Sequence, residues 1–142
     1  MRRALELAAE AGAAGEVPVG AVIVCDGVIL VEAANRTRAS NDPLAHAEIL
    51  AINKASTIIG EARLEECDLY VTLEPCTMCA GAISLARIRR LYYGAIDPKG
   101  GGVESGVRFF AQPTCHHTPE VIGGLEESEA ASLLRTFFRE RR

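Results

Sequence analysis

The chain reads as an α/β protein, a three-layer α/β/α sandwich around a mixed central sheet. Two features predict this class. β-branched runs alternate with alanine- and leucine-rich helical stretches, an order that calls for helical crossovers between parallel strands. Val19 to Cys25 and Val28 to Ala34 are joined only by Asp26-Gly27, a turn that adds an antiparallel hairpin. With 142 residues and 49% hydrophobic content, residues 1–142 are expected to form one domain with an ordinary core.

Arg2 to Ala14 is rich in Ala, Leu and Glu and stops at Gly15, which predicts an amphipathic helix ahead of the hairpin. Asp42-Pro43 before Ala45 to Ile58 reads as a capped helix start, since a short acidic side chain can accept first-turn amides. Asp68 to Leu73 has the apolar character of a buried strand. Pro75 opens a helical stretch through Arg87, and Ile88 to Ala95 returns to strand. Gly100-Gly101-Gly102 marks a loop, read here as a mobile surface segment because the spacing around Lys99 does not form a phosphate loop. Leu133, Leu134, Phe137 and Phe138 have helical spacing and predict a closing helix over Glu126 to Arg141.

No apolar run approaches the ~20 residues of a membrane span, so a soluble, cytoplasmic protein without membrane association is expected. The five cysteines are odd in number and irregularly spaced. They point to reduced thiols rather than a disulfide framework, with Cys25 and Cys67 as inert core thiols. A net charge of -4 argues against indiscriminate coating of nucleic acid. A local basic face remains available at the end, where Arg135 to Arg142 holds four arginines and one glutamate.

The chemistry concentrates in His46-Ala47-Glu48 and, about thirty residues on, in Pro75-Cys76-Thr77-Met78-Cys79. Cys76 and Cys79 share one helix face, and a helix N-terminus favours the thiolates that bind zinc. His46 completes a set of one nitrogen and two sulfurs. Three protein ligands leave a tetrahedral zinc with one position for water, whose pKa falls to ~7. Glu48 is suited to moving protons between that water, a ring nitrogen and departing ammonia.

Other readings of the same residues stay open at this level. A Cys-x-x-Cys between a strand and a helix is also a redox arrangement, although His46 and Glu48 have no part in it. A structural zinc site would need a fourth ligand, for which Cys115, His116 and His117 are in principle available, though solvent or structural roles are favoured for them.

Longer strings carry a resemblance. Glu16-Val17-Pro18-Val19-Gly20-Ala21-Val22, Asn35-Arg36, Ala45-His46-Ala47-Glu48-Ile49, Leu69 to Cys76, Ala80-Gly81-Ala82-Ile83, Gly94-Ala95 and Phe137-Phe138-Arg139 resemble the TadA-type tRNA adenosine deaminases of the cytidine/deoxycytidylate deaminase superfamily. The resemblance implies a cytidine deaminase-like fold, one zinc per subunit on His46, Cys76 and Cys79, and Glu48 as the catalytic proton carrier. It implies hydrolysis of the wobble adenosine of a tRNA anticodon stem-loop to inosine. By position, Asn35 and the Ala47 amide would read the base, Val19 and Leu73 would wall the pocket, and Asp97 would stand near the flanking nucleotides. A homodimer whose second subunit reaches the RNA is implied as well. Phe137, Phe138 and Arg139 offer stacking and charge to single-stranded nucleotides, with at least one phenylalanine expected in the core. Gly100 to His117 departs from the family pattern in length and composition. The rival within the class is a deaminase of a free nucleobase or nucleoside such as cytosine, cytidine or guanine; outside it, a zinc-stabilised binding module.

Overall fold

In the computed structural model, which describes residues 1–141, the elements follow the expected alternation. They are α1 (Arg2–Ala13), β1 (Gly20–Cys25), β2 (Val28–Ala34), α2 (Ala47–Ile59), β3 (Cys67–Leu73), α3 (Thr77–Leu85), β4 (Arg90–Ala95), β5 (Glu120–Ile122) and α4 (Glu127–Glu140). The sheet order is β2-β1-β3-β4-β5. β1 runs antiparallel to both β2 and β3, whereas β3, β4 and β5 are parallel, so the sheet is mixed. Asp26 and Gly27 both have positive φ, 54° and 75°, which a tight two-residue hairpin turn demands.

Helices cover both faces. α1 and α4 pack against the sheet and each other, while α2 and α3 pair on the opposite side. The larger core lies under α2 and α3, where Ile23, Leu69, Val71, Ile83 and Leu91 are at or near zero exposure. α2 turns Ala47, Ala51 and Ala55 towards the sheet, all fully buried, so small side chains let the helix approach closely. On the other face, a Cβ on Gly20 would fall on the Ala4 carbonyl oxygen and 2.8 Å from the Ala8 nitrogen, so glycine there lets α1 lie directly on β1.

The sequence places some boundaries differently. α2 begins at Ala47 rather than Ala45, because Asp42 accepts the Leu44 amide at 2.9 Å and closes a local turn instead of capping the helix. α3 spans Thr77–Leu85 rather than Pro75 to Arg87; Cys76 is still extended, and Arg87 has φ 59° and ends the helical path. β4 starts at Arg90 instead of Ile88. The three-residue edge strand β5 has no counterpart in the sequence reading. Phe137 is buried and stacked under the Arg141 guanidinium, whereas Phe138 is half exposed. Arg142 of the terminal arginine cluster lies outside the described residues.

The thiol expectation is overturned at two positions. Cys25 and Cys67 face each other across the antiparallel β1–β3 ladder, Cα to Cα 4.6 Å, and form a disulfide. Their distance in sequence hides the pairing; strand register creates it. Cys76, Cys79 and Cys115 are free. No described helix is long and apolar enough to cross a membrane. Alkylation in denaturant with chelator and no reductant should therefore modify three cysteines, and five after reduction. Mass spectrometry showing five without reductant would contradict the disulfide.

Candidate active site

Two helix N-termini meet at the end of the β1–β3 pair. His46 precedes α2 with extended backbone, ψ 150°, and its carbonyl accepts the first helical bond, from the Leu50 amide at 3.0 Å. Cys76 precedes α3 in the same manner, ψ 175°, with Ala80 donating to its carbonyl at 2.8 Å. Cys79 lies one turn further along α3, fully buried.

The Nδ1 of His46 is 3.6 Å from Cys76 Sγ and 3.5 Å from Cys79 Sγ, and the three donor atoms lie within 4.8 Å of one another. Tetrahedral zinc with Zn–S of about 2.3 Å and Zn–N of about 2.0–2.1 Å would hold nitrogen and sulfur about 3.6 Å apart. Both nitrogen–sulfur separations therefore match those around such an ion. Among the described residues no fourth His, Cys, Asp or Glu joins the group. Cys115 and His117 instead stitch their segment to the far end of α3. Ser84 donates to the His117 carbonyl at 2.7 Å, and the His117 ring lies 2.7 Å from the Ile88 carbonyl.

The hydrogen bond from the Cys79 thiol lowers Cys76 to about 4, and the His46 ring adds to the effect. The same contact, with burial, holds Cys79 protonated until a metal replaces the proton. Glu48, in the first turn of α2 and 4% exposed, has its carboxyl pushed up by burial. A carboxyl raised in this way holds its proton more readily than an exposed glutamate, which suits a group that must give a proton as well as take one.

These groups open into a cavity of about 330 Å³. That is the small end of ligand pockets, enough for one base with the remainder of a larger molecule outside. Its walls bring together Val19, Asn35, His46, Ala47, Glu48, Leu73, Cys76 and Asp97. Every residue expected from the sequence to hold metal, move protons or contact the base therefore lines the cavity except Cys79, which belongs to the ligand group; Phe137, Phe138, Arg139 and the Cys115–His117 segment do not. Ala47 is the first residue of α2, so its amide has no partner within the helix and is free to donate.

Val17, Thr37, Glu74 and Gly100 also line the cavity and were not picked out in the sequence. Of these, Glu74 has the densest environment. Its Oε1 accepts from the Asp97 amide (2.9 Å) and the Ser105 hydroxyl (2.8 Å). Its Oε2 accepts the amides of Val103, Glu104 and Ser105 at 2.9–3.1 Å. Burial works to raise this carboxyl, but the hydrogen bonds outweigh it and hold the group below the usual range. The glycine triplet is thus no loose surface loop: it is folded around Glu74, with the Gly102 amide bonded to the Pro75 carbonyl and Gly101 bridged to Cys76.

The fold and the His/Cys/Cys group define a zinc-binding deaminase domain. The chain belongs to the family described as cytidine and deoxycytidylate deaminase zinc-binding region, which matches residues 1–95. Within that class it is a member of the tRNA-specific adenosine deaminase family: it is 64% identical to the tRNA-specific adenosine deaminase of Agrobacterium fabrum, over 100% of this chain and 93% of that protein. A solved structure from work on A-to-I editing by tRNA:A34 deaminases at the wobble position of transfer RNA superposes with TM-score 0.93 at 63% identity. That match covers 94% of this chain and 97% of the other. A guanine deaminase from Nitrosomonas europaea is more distant, TM-score 0.83 at 25% identity, covering 96% and 81%.

A Cβ on Gly101 would lie 2.5 Å from Glu74 Cδ and 2.6 Å from the Asp97 carbonyl oxygen. Gly101→Ala should therefore destabilise the protein by about 2–3 kcal/mol through overpacking against backbone and a buried carboxylate. Denaturant unfolding measures it, and an unchanged midpoint would contradict the tight fit.

Proposed function

We propose that this chain hydrolyses the wobble adenosine of a tRNA anticodon stem-loop to inosine, releasing ammonia. The observation that carries the reading is one cavity of base size in which a buried Glu48 adjoins a three-ligand group at zinc spacing. Full-length relatedness to tRNA-specific adenosine deaminases supports the choice of substrate over a free base. His46, Cys76 and Cys79 would hold one zinc per subunit, and bound zinc supplies a water acidic enough to act as nucleophile at neutral pH.

Glu48 is the catalytic residue. It takes a proton from the attacking water and passes it to a ring nitrogen of the adenine, then carries the second proton from the new C6 hydroxyl to the amine, which leaves C6 as ammonia while the carbonyl of inosine forms. Burial, which raises its carboxyl, suits it to carry that proton repeatedly. Asn35 and the free Ala47 amide orient the base edge, Val19 and Leu73 hold its faces, and Asp97 stands where the flanking nucleotides enter. A target base must leave its stack to reach such a pocket, and an anticodon loop makes that inexpensive because its bases are unpaired.

The assembly we propose is a homodimer in the cytoplasm, where tRNA is found, with the second subunit contributing to the RNA surface. Leu44 and Leu85 are 56% and 76% exposed, leaving apolar surface for a second copy. Sedimentation should give a dimer at micromolar concentration; a monomer would remove this part of the reading.

Zinc content and inosine formation on a wobble-adenosine stem-loop separate the roles of the site residues. Glu48→Ala should keep its zinc and lose inosine formation by about 10²-fold or more, the usual range for a general acid–base group. Cys76→Ala should lose both zinc and activity. Full activity in Glu48→Ala would rule out the proton role, and deamination of guanine or cytidine without any of the stem-loop would transfer the enzyme to the free-base class.

A further inference from the structure

Two buried carboxylates have no part in the chemistry above, and each grips the backbone of one pocket wall. Glu16, 5% exposed, accepts the amides of Arg38 at 3.1 Å and Ala39 at 2.7 Å, in the loop that leaves β2. Glu74, 2% exposed, gathers Asp97 and residues 103–105 in the loop that leaves β4. In the sheet order, β2 and β4 stand on either side of the β1–β3 pair. The two gripped loops therefore flank the cavity, which one lines with Thr37 and the other with Asp97 and Gly100.

A carboxylate is the side chain suited to this work. It accepts several N–H groups at once and brings no donor of its own. Glutamine at either position would turn an NH2 towards amides that already need an acceptor. Each gripped loop also carries an exposed cation, Arg38 on one and Lys99 on the other.

We propose that Glu16 and Glu74 are positioning residues for substrate: they set the two walls of the pocket mouth, and so the affinity for the base-bearing strand, without touching the reacting atoms. This inference rests on the deaminase reading above. It assigns the mouth's geometry to carboxylates held outside the catalytic set.

The test combines hydrogen exchange with steady-state kinetics on a wobble-adenosine stem-loop, using zinc-loaded wild type, Glu74→Gln and Glu16→Gln. In Glu74→Gln, exchange should quicken at Asp97 and residues 103–105 alone; in Glu16→Gln, at 38–39 alone. In both, loss of a buried charged acceptor should raise KM on the order of tenfold, with a smaller fall in kcat and zinc retained. Faster exchange with an unchanged KM would overturn the role in binding. A loss confined to kcat, with zinc lost, would assign Glu74 to the metal site instead. Exchange accelerated throughout the chain would reduce both residues to general stability, and no local change would refute the clasps themselves. Wild type that makes no inosine would defeat the functional reading and the substrate part of this inference together, while the exchange data would still decide whether the clasps exist.

Discussion

The meeting of two helix N-termini at one end of the β1–β3 pair is the constraint on which the pocket depends. His46 and Cys76 both occupy the extended position just before a helix, so each side chain sits at a helix N-terminus. Cys79 follows one turn into α3 and closes the triangle from below. The partial positive charge of a helix start favours thiolate at Cys76, and the free first-turn amide of Ala47 becomes part of the same polar surface. If either helix started a residue later, the nitrogen and sulfurs would not stand at their present 3.5–3.6 Å. The close approach of α2 through Ala47, Ala51 and Ala55 holds that register.

Around this point three buried glutamates do different work, and their surroundings account for the difference. Glu48 faces the cavity, and desolvation dominates and raises its carboxyl. Glu74 is as deeply buried but receives five hydrogen bonds, which keep it charged. Glu16 is satisfied by two loop amides. One residue type thus supplies a carboxyl raised by burial and two backbone anchors, according to how many donors the fold turns towards it.

The parts legible in the sequence are those with a local signature. The Cys76–Cys79 pair, the His46–Glu48 pair and the Asp26-Gly27 hairpin each involve residues within a few positions of each other, and each strand or helix shows its own pattern along a single stretch. What stayed hidden depends on distant partners. Cys25 meets Cys67 only once β1 and β3 align. The glycine triplet looks like a free loop until Glu74, far away in sequence, is seen at its centre. Asp42 carries a helix-cap signature but spends it on a turn. β5 is too short to show a pattern, and Phe109 and Phe110 pack on the main core from a segment with no periodicity.

The central claim is that His46, Cys76 and Cys79 form an open, three-ligand zinc site. X-ray absorption at the zinc edge of the purified protein reads the coordination sphere directly. The account predicts two sulfurs at about 2.3 Å, one imidazole nitrogen at about 2.0–2.1 Å, and one further light-atom ligand from solvent. A shell of four protein ligands, or a spectrum with fewer than two sulfurs, would contradict it.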